Sequence, residues 1–424
     1  MFKKIILFFV LLILLIWMGA QTQSTKNDKT IIQFASWGSQ SEVEILKPIL
    51  AKFEQENPDI KVDFVHIPQN YFQKIHLLFA SNLAPDVIFI NNLYLPIYAN
   101  AGLLQEMGNG KWEIEETSLK TPSTLQPFDP STFYSQALNA LTYNGKLYAI
   151  PRDVSNLVIY YNKDLFAKYG VPYPNQYWSF NDLLILAQQL TKDTNNDGKT
   201  DIWGISFEED LMFYLPYLMS EGGGVLSDDL KNIIITSPES KKGLQFYTDL
   251  RNKYNVAPKK SESASATMAQ LFLQGKLAMQ LSGRWLVPKY RTDAKFNWNV
   301  VNFPAGDKGS IVPMDASGWA IAKSSKHKPE AMRLIKYLSS KDSIEKFSQS
   351  GLITPARIDV AEGDLLKNNQ LPKNANVFID IIKTSKKTPV SLDYREIQDN
   401  LKEKTNYLFN SNENADEIFK HFSR

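Results

Sequence analysis

Four short clusters in the 424-residue chain bring together side chains suited to binding a polyhydroxylated small molecule. An aromatic plane packs against the apolar face of such a molecule, and amide, carboxylate and guanidinium groups bond its hydroxyl rim. Charged partners make the stronger hydrogen bonds. The clusters are Trp37 with Gln40 and Glu42; Asn91, Asn92 and Tyr94; Arg152 with Asp153; and Gly283, Arg284 and Trp285.

Two further residues are candidates for the same site, and every candidate has an ordinary structural alternative. Trp319 lies in an apolar run, and Glu221 precedes three glycines that read first as a tight turn. The tryptophans could instead pack in a core, the asparagines could cap a helix, and Asp153 could serve only as an ion-pair partner. The residue types alone leave both possibilities open for each position.

One segment resembles the opening of a calcium-binding loop. Asp193, Asn195 and Asp197 fit the spacing D-x-N-x-D-G, and Asp201 is a further carboxylate in the same loop. The twelfth position is Gly204, so the bidentate carboxylate of such a loop is absent. A polar turn is the alternative, and we expect neither a metal nor a cofactor to be required.

The sequence offers no recognisable catalytic constellation. It has no G-x-S-x-G or H-E-x-x-H pattern, and its four histidines are scattered. The absence of cysteine excludes thiolate nucleophiles, thiolate metal sites and disulfides. A pair of carboxylates could still hydrolyse a glycoside, which keeps a secreted glycan-active enzyme open. A net charge of +2 without a basic cluster argues against a nucleic-acid partner.

The first twenty residues carry an export signal. Lys3 and Lys4 precede an uncharged apolar run over 5–18, and Gly19 and Ala20 come directly after it. A charged start, a short apolar run and small residues describe a secretory signal peptide. We expect 1–20 to be cleaved or retained as an anchor, and 21–29 to be a polar linker. The protein is then periplasmic or at the cell surface, and tethered to the membrane if the signal is retained.

The elements that must position the clusters begin with alternating strands and helices. A strand over 31–35, a helix with a capping box of Ser41 and Glu44, and strands over 60–67 and 86–90 predict an α/β lobe with parallel pairing. Ligands bind outside the carboxyl ends of such strands, which lead here into 36–40 and 91–94.

Five stretches in order resemble the extracellular solute-binding proteins of carbohydrate ABC transporters, family 1, the maltose-binding-protein-like group. They are 84–91 (APDVIFIN), 148–166 (with the run YYNKDLF), 177–183 (YWSFNDL), 272–285 (FLQGKLAM, then GRW) and 318–331 (GWAI, then KPEA). The resemblance implies an α/β, two-lobed periplasmic-binding-protein-like fold of the class II type. Its three interlobe crossovers would lie near Asp153, Pro313 and Val360.

The same resemblance predicts the division of the chain and its function. The N-terminal lobe would comprise 30–152 and 313–360, and the C-terminal lobe 153–312 and 361–424. We expect a non-enzymatic substrate-binding component of an ABC importer that holds a sugar or oligosaccharide in the interlobe cleft and delivers it to the membrane permease subunits. Because Arg152, Arg284 and Arg357 could bind an anion, glycerol phosphate or another polar solute is an alternative ligand.

Overall fold

The computed structural model describes residues 29–108, 128–367, 371–411, 413–420 and 422. The predicted export segment 1–20 and nearly all of the predicted linker lie outside these ranges. Within them, no helix has the length and apolar character needed to span a membrane.

The first six elements of the described chain alternate strand and helix, and runs of strands and of helices follow. Its strands are β1 Thr30–Ser36, β2 Ile60–His66, β3 Val87–Asn91, β4 Thr142–Tyr143, β5 Lys146–Leu147, β6 Ile150–Ser155, β7 Val158–Asn162, β8 Trp203–Ile205, β9 Leu277–Ser282, β10 Trp298–Val301, β11 Pro313–Ile321, β12 Thr354–Pro355 and β13 Lys386–Lys387. Its first helices are α1 Gln40–Glu56, α2 Tyr71–Ala80, α3 Leu95–Asn100, α4 Ser135–Ala140, α5 Lys163–Tyr169, α6 Phe180–Leu190, α7 Leu211–Glu221 and α8 Pro238–Asn252. The later helices are α9 Met268–Leu273, α10 Val287–Asp293, α11 Lys328–Leu338, α12 Lys341–Gln349, α13 Ile358–Lys367, α14 Val377–Asp380, α15 Tyr394–Phe409 and α16 Ala415–Ile418.

Two separate sheets define the two lobes. The larger sheet has the order β12-β6-β11-β3-β1-β2, with β13 paired to β11. β1 pairs in parallel with β2 and β3, as the opening strand-helix alternation predicts. The smaller sheet has the order β10-β7-β9-β8. Each sheet is covered by helices and has its own buried apolar cluster, one around Phe34 and Ile88 and the other around Tyr160 and Met279.

The chain passes between the sheets three times. It leaves the larger sheet after β6 and enters the smaller one at β7, and it returns between β10 and β11. It leaves again between β12 and α15, which packs in the core of the second lobe, and β13 between them pairs with the start of β11. The α/β, two-lobed architecture with three interlobe crossovers is therefore the observed fold. Because β6, β11 and β12 are hydrogen-bonded neighbours, the crossing segments begin side by side, and we call these three strands the hinge strands.

The first helix differs from its predicted start. Ser39 caps α1, with its side-chain oxygen accepting a hydrogen bond from the Glu42 amide, so the predicted cap Ser41 lies inside the helix. The apolar face of α1 is buried: Val43, Leu46, Ile49, Leu50 and Phe53. The earlier cap places Glu42 in the first turn, where a carboxylate interacts favourably with the helix dipole.

Candidate functional site

A cleft of about 700 Å³ lies between the two lobes, and both lobes and the hinge line it. The first lobe contributes Trp37, Glu42, Phe72, Asn91 and Tyr94. The hinge strands contribute Arg152, Asp153, Asp315, Ser317 and Thr354. The second lobe contributes Asp210, Met212, Arg284, Trp285, Tyr394, Arg395 and Gln398. A ligand in this cleft would contact all three parts of the molecule.

The loop after β1 brings a tryptophan and a carboxylate to the cleft. Gly38 has a φ of +132°, and a Cβ there would lie 2.4 Å from Oε2 of Glu42. Glycine is therefore required for Glu42 to fold back over the loop. Nε2 of His66, at the end of β2, lies 2.9 Å from the carbonyl oxygen of Gly38 and holds the turn in place.

Aromatic rings form the wall of the first lobe. The half-buried Trp37 ring packs edge-on against Phe72 at a centroid distance of 5.4 Å, and it also contacts Phe89. Phe72 is stacked on Tyr94 with centroids 3.8 Å apart and an interplanar angle of 11°. Trp285 lies on the opposite lobe. The cleft therefore offers aromatic surface from both sides, which suits the apolar face of a sugar ring.

A buried ion-pair network stands at the base of the cleft. Nε of Arg152 donates to Oδ1 of Asp153 at 2.6 Å, and its Nη1 donates to Oε1 of Glu42. The guanidinium also lies over the Phe89 ring, 4.5 Å from its centroid. Burial opposes the charge of Arg152, but Asp153 and Glu42 outweigh it and raise the arginine pKa. Burial also raises the pKa of Asp153, against the lowering effect of Arg152.

A second network ties β3 to β11. Nδ2 of Asn92 donates to Oδ1 of Asp315 at 3.0 Å, and the Ala316 amide donates to Oδ1 of Asn92 at 2.8 Å. Oδ1 of Asn91 accepts hydrogen bonds from the Leu93 and Tyr94 amides. Burial raises the pKa of Asp315. These bonds fix the turn that presents Tyr94 and Asp315 to the cleft.

The second lobe presents Arg284 and Trp285 from the turn after β9. A Cβ on Gly283 would lie 1.8 Å from Cζ3 of Trp285, so glycine is needed for that ring to pack against the turn. The Tyr160 hydroxyl donates to the Gly283 carbonyl at 2.8 Å and anchors the turn to the core. Arg284 is 4% exposed, and burial lowers its pKa to about 9.

The structure brings eight of the sequence-predicted site residues together in the cleft. They are Trp37, Glu42, Asn91, Tyr94, Arg152, Asp153, Arg284 and Trp285. Five others do not line it: Gln40, Asn92, Glu221, Gly283 and Trp319. Gln40 is exposed, and its side-chain nitrogen lies 3.4 Å from Glu44. Asn92 is used in the β3–β11 network, and Gly283 supports Trp285.

Trp319 and Glu221 lie away from the cleft for separate reasons. Trp319 is 1% exposed because it sits mid-strand in β11, facing the core beside Phe347. Glu221 ends α7, whose other end reaches the cleft at Asp210 and Met212, about 16 Å away along the helix axis. Its carboxylate pairs with Lys242 at 2.7 Å.

The carboxylates of the calcium-like loop accept hydrogen bonds from the backbone amides of the same loop. Asp193 accepts hydrogen bonds from the amides of Asn195, Asn196 and Gly198, and Asp201 accepts from the Thr194 amide and hydroxyl. Asn195 and Asp197 cap the amides of Asp197 and Lys199 in the same way. Across the described ranges, no three metal-binding side chains are grouped to hold an ion.

Sequence reasoning missed three of the five hinge residues and much of the second lobe's contribution. Asp315, Ser317 and Thr354 lie on strands next to the crossovers, so the predicted crossover positions were the signal that could have found them. Asp210 and Tyr394 carry no such signal. Both stand at the starts of helices that reach the cleft only through tertiary packing.

Comparisons with known proteins identify the family of this chain. The family model for the bacterial extracellular solute-binding protein matches residues 37–345. The putative binding protein BAB2_0491 of Brucella abortus is 24% identical over 350 residues, which cover 82% of this chain and 80% of the relative. The maltodextrin-binding protein MdxE of Bacillus subtilis is 24% identical over 329 residues, 74% of this chain and 70% of the relative.

Two solved structures have the same fold as this protein over most of its length. The ABC substrate-binding protein Lmo0181 of Listeria monocytogenes, in complex with cycloalternan, is 27% identical with a TM-score of 0.82, over 92% of this chain and 96% of that one. Maltose-bound MalE3 of T. maritima is 23% identical with a TM-score of 0.76, over 92% and 97%. The chain therefore belongs to the bacterial extracellular solute-binding protein family and has the two-lobed fold of its maltose-binding-protein-like members.

Proposed function

We propose that this protein is the exported substrate-binding component of an ABC importer, which binds a sugar or oligosaccharide between its lobes and delivers it to the membrane permease subunits. The observation that carries the proposal is the cleft itself. Aromatic rings of one lobe, Trp37 and Tyr94, stand opposite Trp285 of the other, with carboxylate, amide and guanidinium groups around them. That combination suits a ring with an apolar face and a hydroxyl rim.

Relatives support a carbohydrate as the ligand. Lmo0181 is described in complex with cycloalternan, MalE3 is maltose-bound, and MdxE is named a maltodextrin-binding protein. The cleft volume of about 700 Å³ is within the range of pockets that enclose small molecules. Glycerol phosphate or another polar solute is the alternative class of ligand.

The layout of the site supports a closing motion as the mechanism of binding and delivery. A ligand that touches both lobes binds the closed form better than the open form and shifts the equilibrium towards closure. The paired strands β6, β11 and β12 offer a hinge for this motion. The closed form would present a surface made by both lobes to the permease.

The carboxylates that line the cleft favour binding over catalysis. Glu42 and Asp153 both bond to Arg152, and Asp315 bonds to Asn92. Asp210 accepts the Met212 amide at the start of α7. Each group has a structural partner, whereas glycoside hydrolysis needs one carboxyl group free to donate a proton and another to attack or activate water.

The proposal is tested by a thermal-shift screen of the purified protein, from about residue 21, against sugars, glycerol phosphates and polyamines. A ligand that binds only the folded state raises the melting temperature by mass action. We expect one class of carbohydrate to raise it by several degrees, with no new product on chromatography. Product formation would replace the binding function with an enzymatic one, and no shift with any carbohydrate would contradict the proposed ligand class.

A further inference from the structure

Arg284 is a buried cation, and two of its three guanidinium nitrogens have no hydrogen-bond partner. It lies after β9 at the start of a short 3-10 helix, Arg284–Leu286, and lines the cleft. The residue is 4% exposed, and both Nε and Nη1 are buried without a hydrogen-bond partner. Burying a charge without a partner costs several kcal/mol, so a fold retains such a group where something else binds it.

The other arginines that line the cleft do not share this condition. Arg152 donates to both Glu42 and Asp153, and Arg395 is exposed to water. The acidic residues at the base of the cleft are already used, because Asp315 accepts from Asn92. Of the three arginines that line the cleft, Arg284 is therefore the one that is both buried and without an anionic partner.

No carboxylate of the described residues forms an ion pair with Arg284. Its guanidinium carbon lies 5.4 Å from the centroid of the Phe378 ring. The charged and titratable groups that act on it, among the described side chains, are Tyr160 and the second cation Arg291. Arg291 itself donates to carbonyl oxygens, those of Leu371 at 2.7 Å and Ser350 at 3.4 Å. Among the described side chains, no carboxylate therefore acts as a direct partner of Arg284.

We infer that Arg284 determines specificity by binding an oxyanion on the ligand, either the carboxylate of an acidic sugar or the phosphate of a phosphorylated polyol. This inference rests on the proposed function: a carboxylate would narrow its carbohydrate class, and a phosphate would select its alternative class. A planar guanidinium matches a carboxylate or phosphate with two parallel hydrogen bonds, and Trp285 beside it offers a ring to stack on. Neutral hydroxyls would satisfy its N–H groups but leave its charge uncompensated.

The test compares each acidic probe with a neutral molecule of the same shape. Calorimetric titration would use a galacturonate disaccharide against its methyl ester, and glycerol 3-phosphate against glycerol. We expect one acidic probe to bind about ten- to a hundredfold tighter than its neutral counterpart. Which pair shows the preference identifies the source of the oxyanion.

Variants connect the preference to Arg284. Arg284→Gln should abolish it, and Arg284→Lys should keep most of it because the charge remains. Lys289→Gln, which changes an exposed cation outside the cleft, should leave the preference intact. If a neutral sugar binds more tightly than the acids and Arg284→Gln leaves its Kd unchanged, the inference is wrong and the proposed function stands. If no probe and no neutral sugar binds, the proposed function fails, and the inference fails with it.

A ligand-free measurement tests the unpaired charge directly. Arg284→Met should raise the melting temperature of the free protein by about 2 °C or more, because it removes a buried charge that has no partner. The matched control is Arg251→Met, which removes an equally buried arginine bonded to Glu209 at 2.9 Å and should lower the melting temperature. A decrease for Arg284→Met would show that the arginine has a structural partner, and would overturn the inference.

Discussion

Nε of Arg152 lies 2.6 Å from Oδ1 of Asp153, its neighbour on the hinge strand β6, and the same guanidinium reaches across to Glu42 in the first turn of α1. The network is at least nine-tenths buried at all three side chains. It joins the loop that carries Trp37 to the strand where the chain leaves the first lobe. The wall of the cleft and the hinge are therefore held by one group of charges.

Removing Arg152 should destabilise the protein strongly. Arg152→Met leaves two buried carboxylates without a cation, and breaking such a pair costs about 3–5 kcal/mol. The measurement is the free energy of unfolding from chemical denaturation. Lys289→Met, which removes an exposed pair with Asp293, is the control and should cost less than about 0.5 kcal/mol. Equal small losses for the two variants would refute the role given to the network.

The stability of the protein should fall between about pH 4.5 and pH 7 because of Glu208. Burial, with a contribution from Asp210, raises the pKa of Glu208 from 4.5 to about 7. The unfolded chain therefore releases this proton at a lower pH than the folded protein, so stability is full below pH 4.5 and lost as pH rises through 7. Glu208→Gln should be more stable than wild type by about 1–3 kcal/mol at pH 8 and nearly equal at pH 4. If the two proteins differ in stability by the same amount at pH 4 and pH 8, the pH dependence does not come from Glu208.

Replacing Trp285 should weaken carbohydrate binding without unfolding the protein. Trp285 is half-buried and lines the cleft, so Trp285→Ala removes stacking surface and should raise the Kd at least about tenfold, or 1.4 kcal/mol. The control is Tyr177→Ala, which removes an aromatic ring that is 86% exposed and outside the cleft. Calorimetric titration measures both. An unchanged Kd for Trp285→Ala would remove this residue from the site.

Adding one methyl group beside Trp285 should have a similar effect. In Gly283→Ala the new Cβ would overlap the Trp285 ring, whereas the backbone φ of −96° suits alanine. The ring must therefore move, and carbohydrate affinity should fall while the helix and strand content is kept. Gly363→Ala, where a Cβ meets nothing within 4 Å, is the control and should bind as wild type does. A displaced Trp285 would also change its fluorescence, and unaltered affinity and fluorescence together would show that the turn adapts.

The sequence predicted much of the fold and eight of the 25 residues that line the cleft, and particular residues show why. Strand ends predict positions in the first lobe well, because β1 and β3 are adjacent and parallel and their loops share one edge. The pattern could not decide between Asn91 and Asn92, since neighbouring residues with the same chemistry point to opposite sides. Asn91 lines the cleft, and Asn92 bonds to β11, more than two hundred residues away in sequence. Asp210 and Tyr394 reach the cleft through packing between distant segments, which no local pattern records.

Small-angle X-ray scattering during titration of the sugar found in the thermal-shift screen tests the central claim most directly, because a ligand held between the lobes must draw them together. We expect the radius of gyration to decrease and to saturate at one sugar per protein, at the concentration where the calorimetric heat also saturates. A sugar that binds with full heat and leaves the radius of gyration unchanged would contradict binding between the lobes.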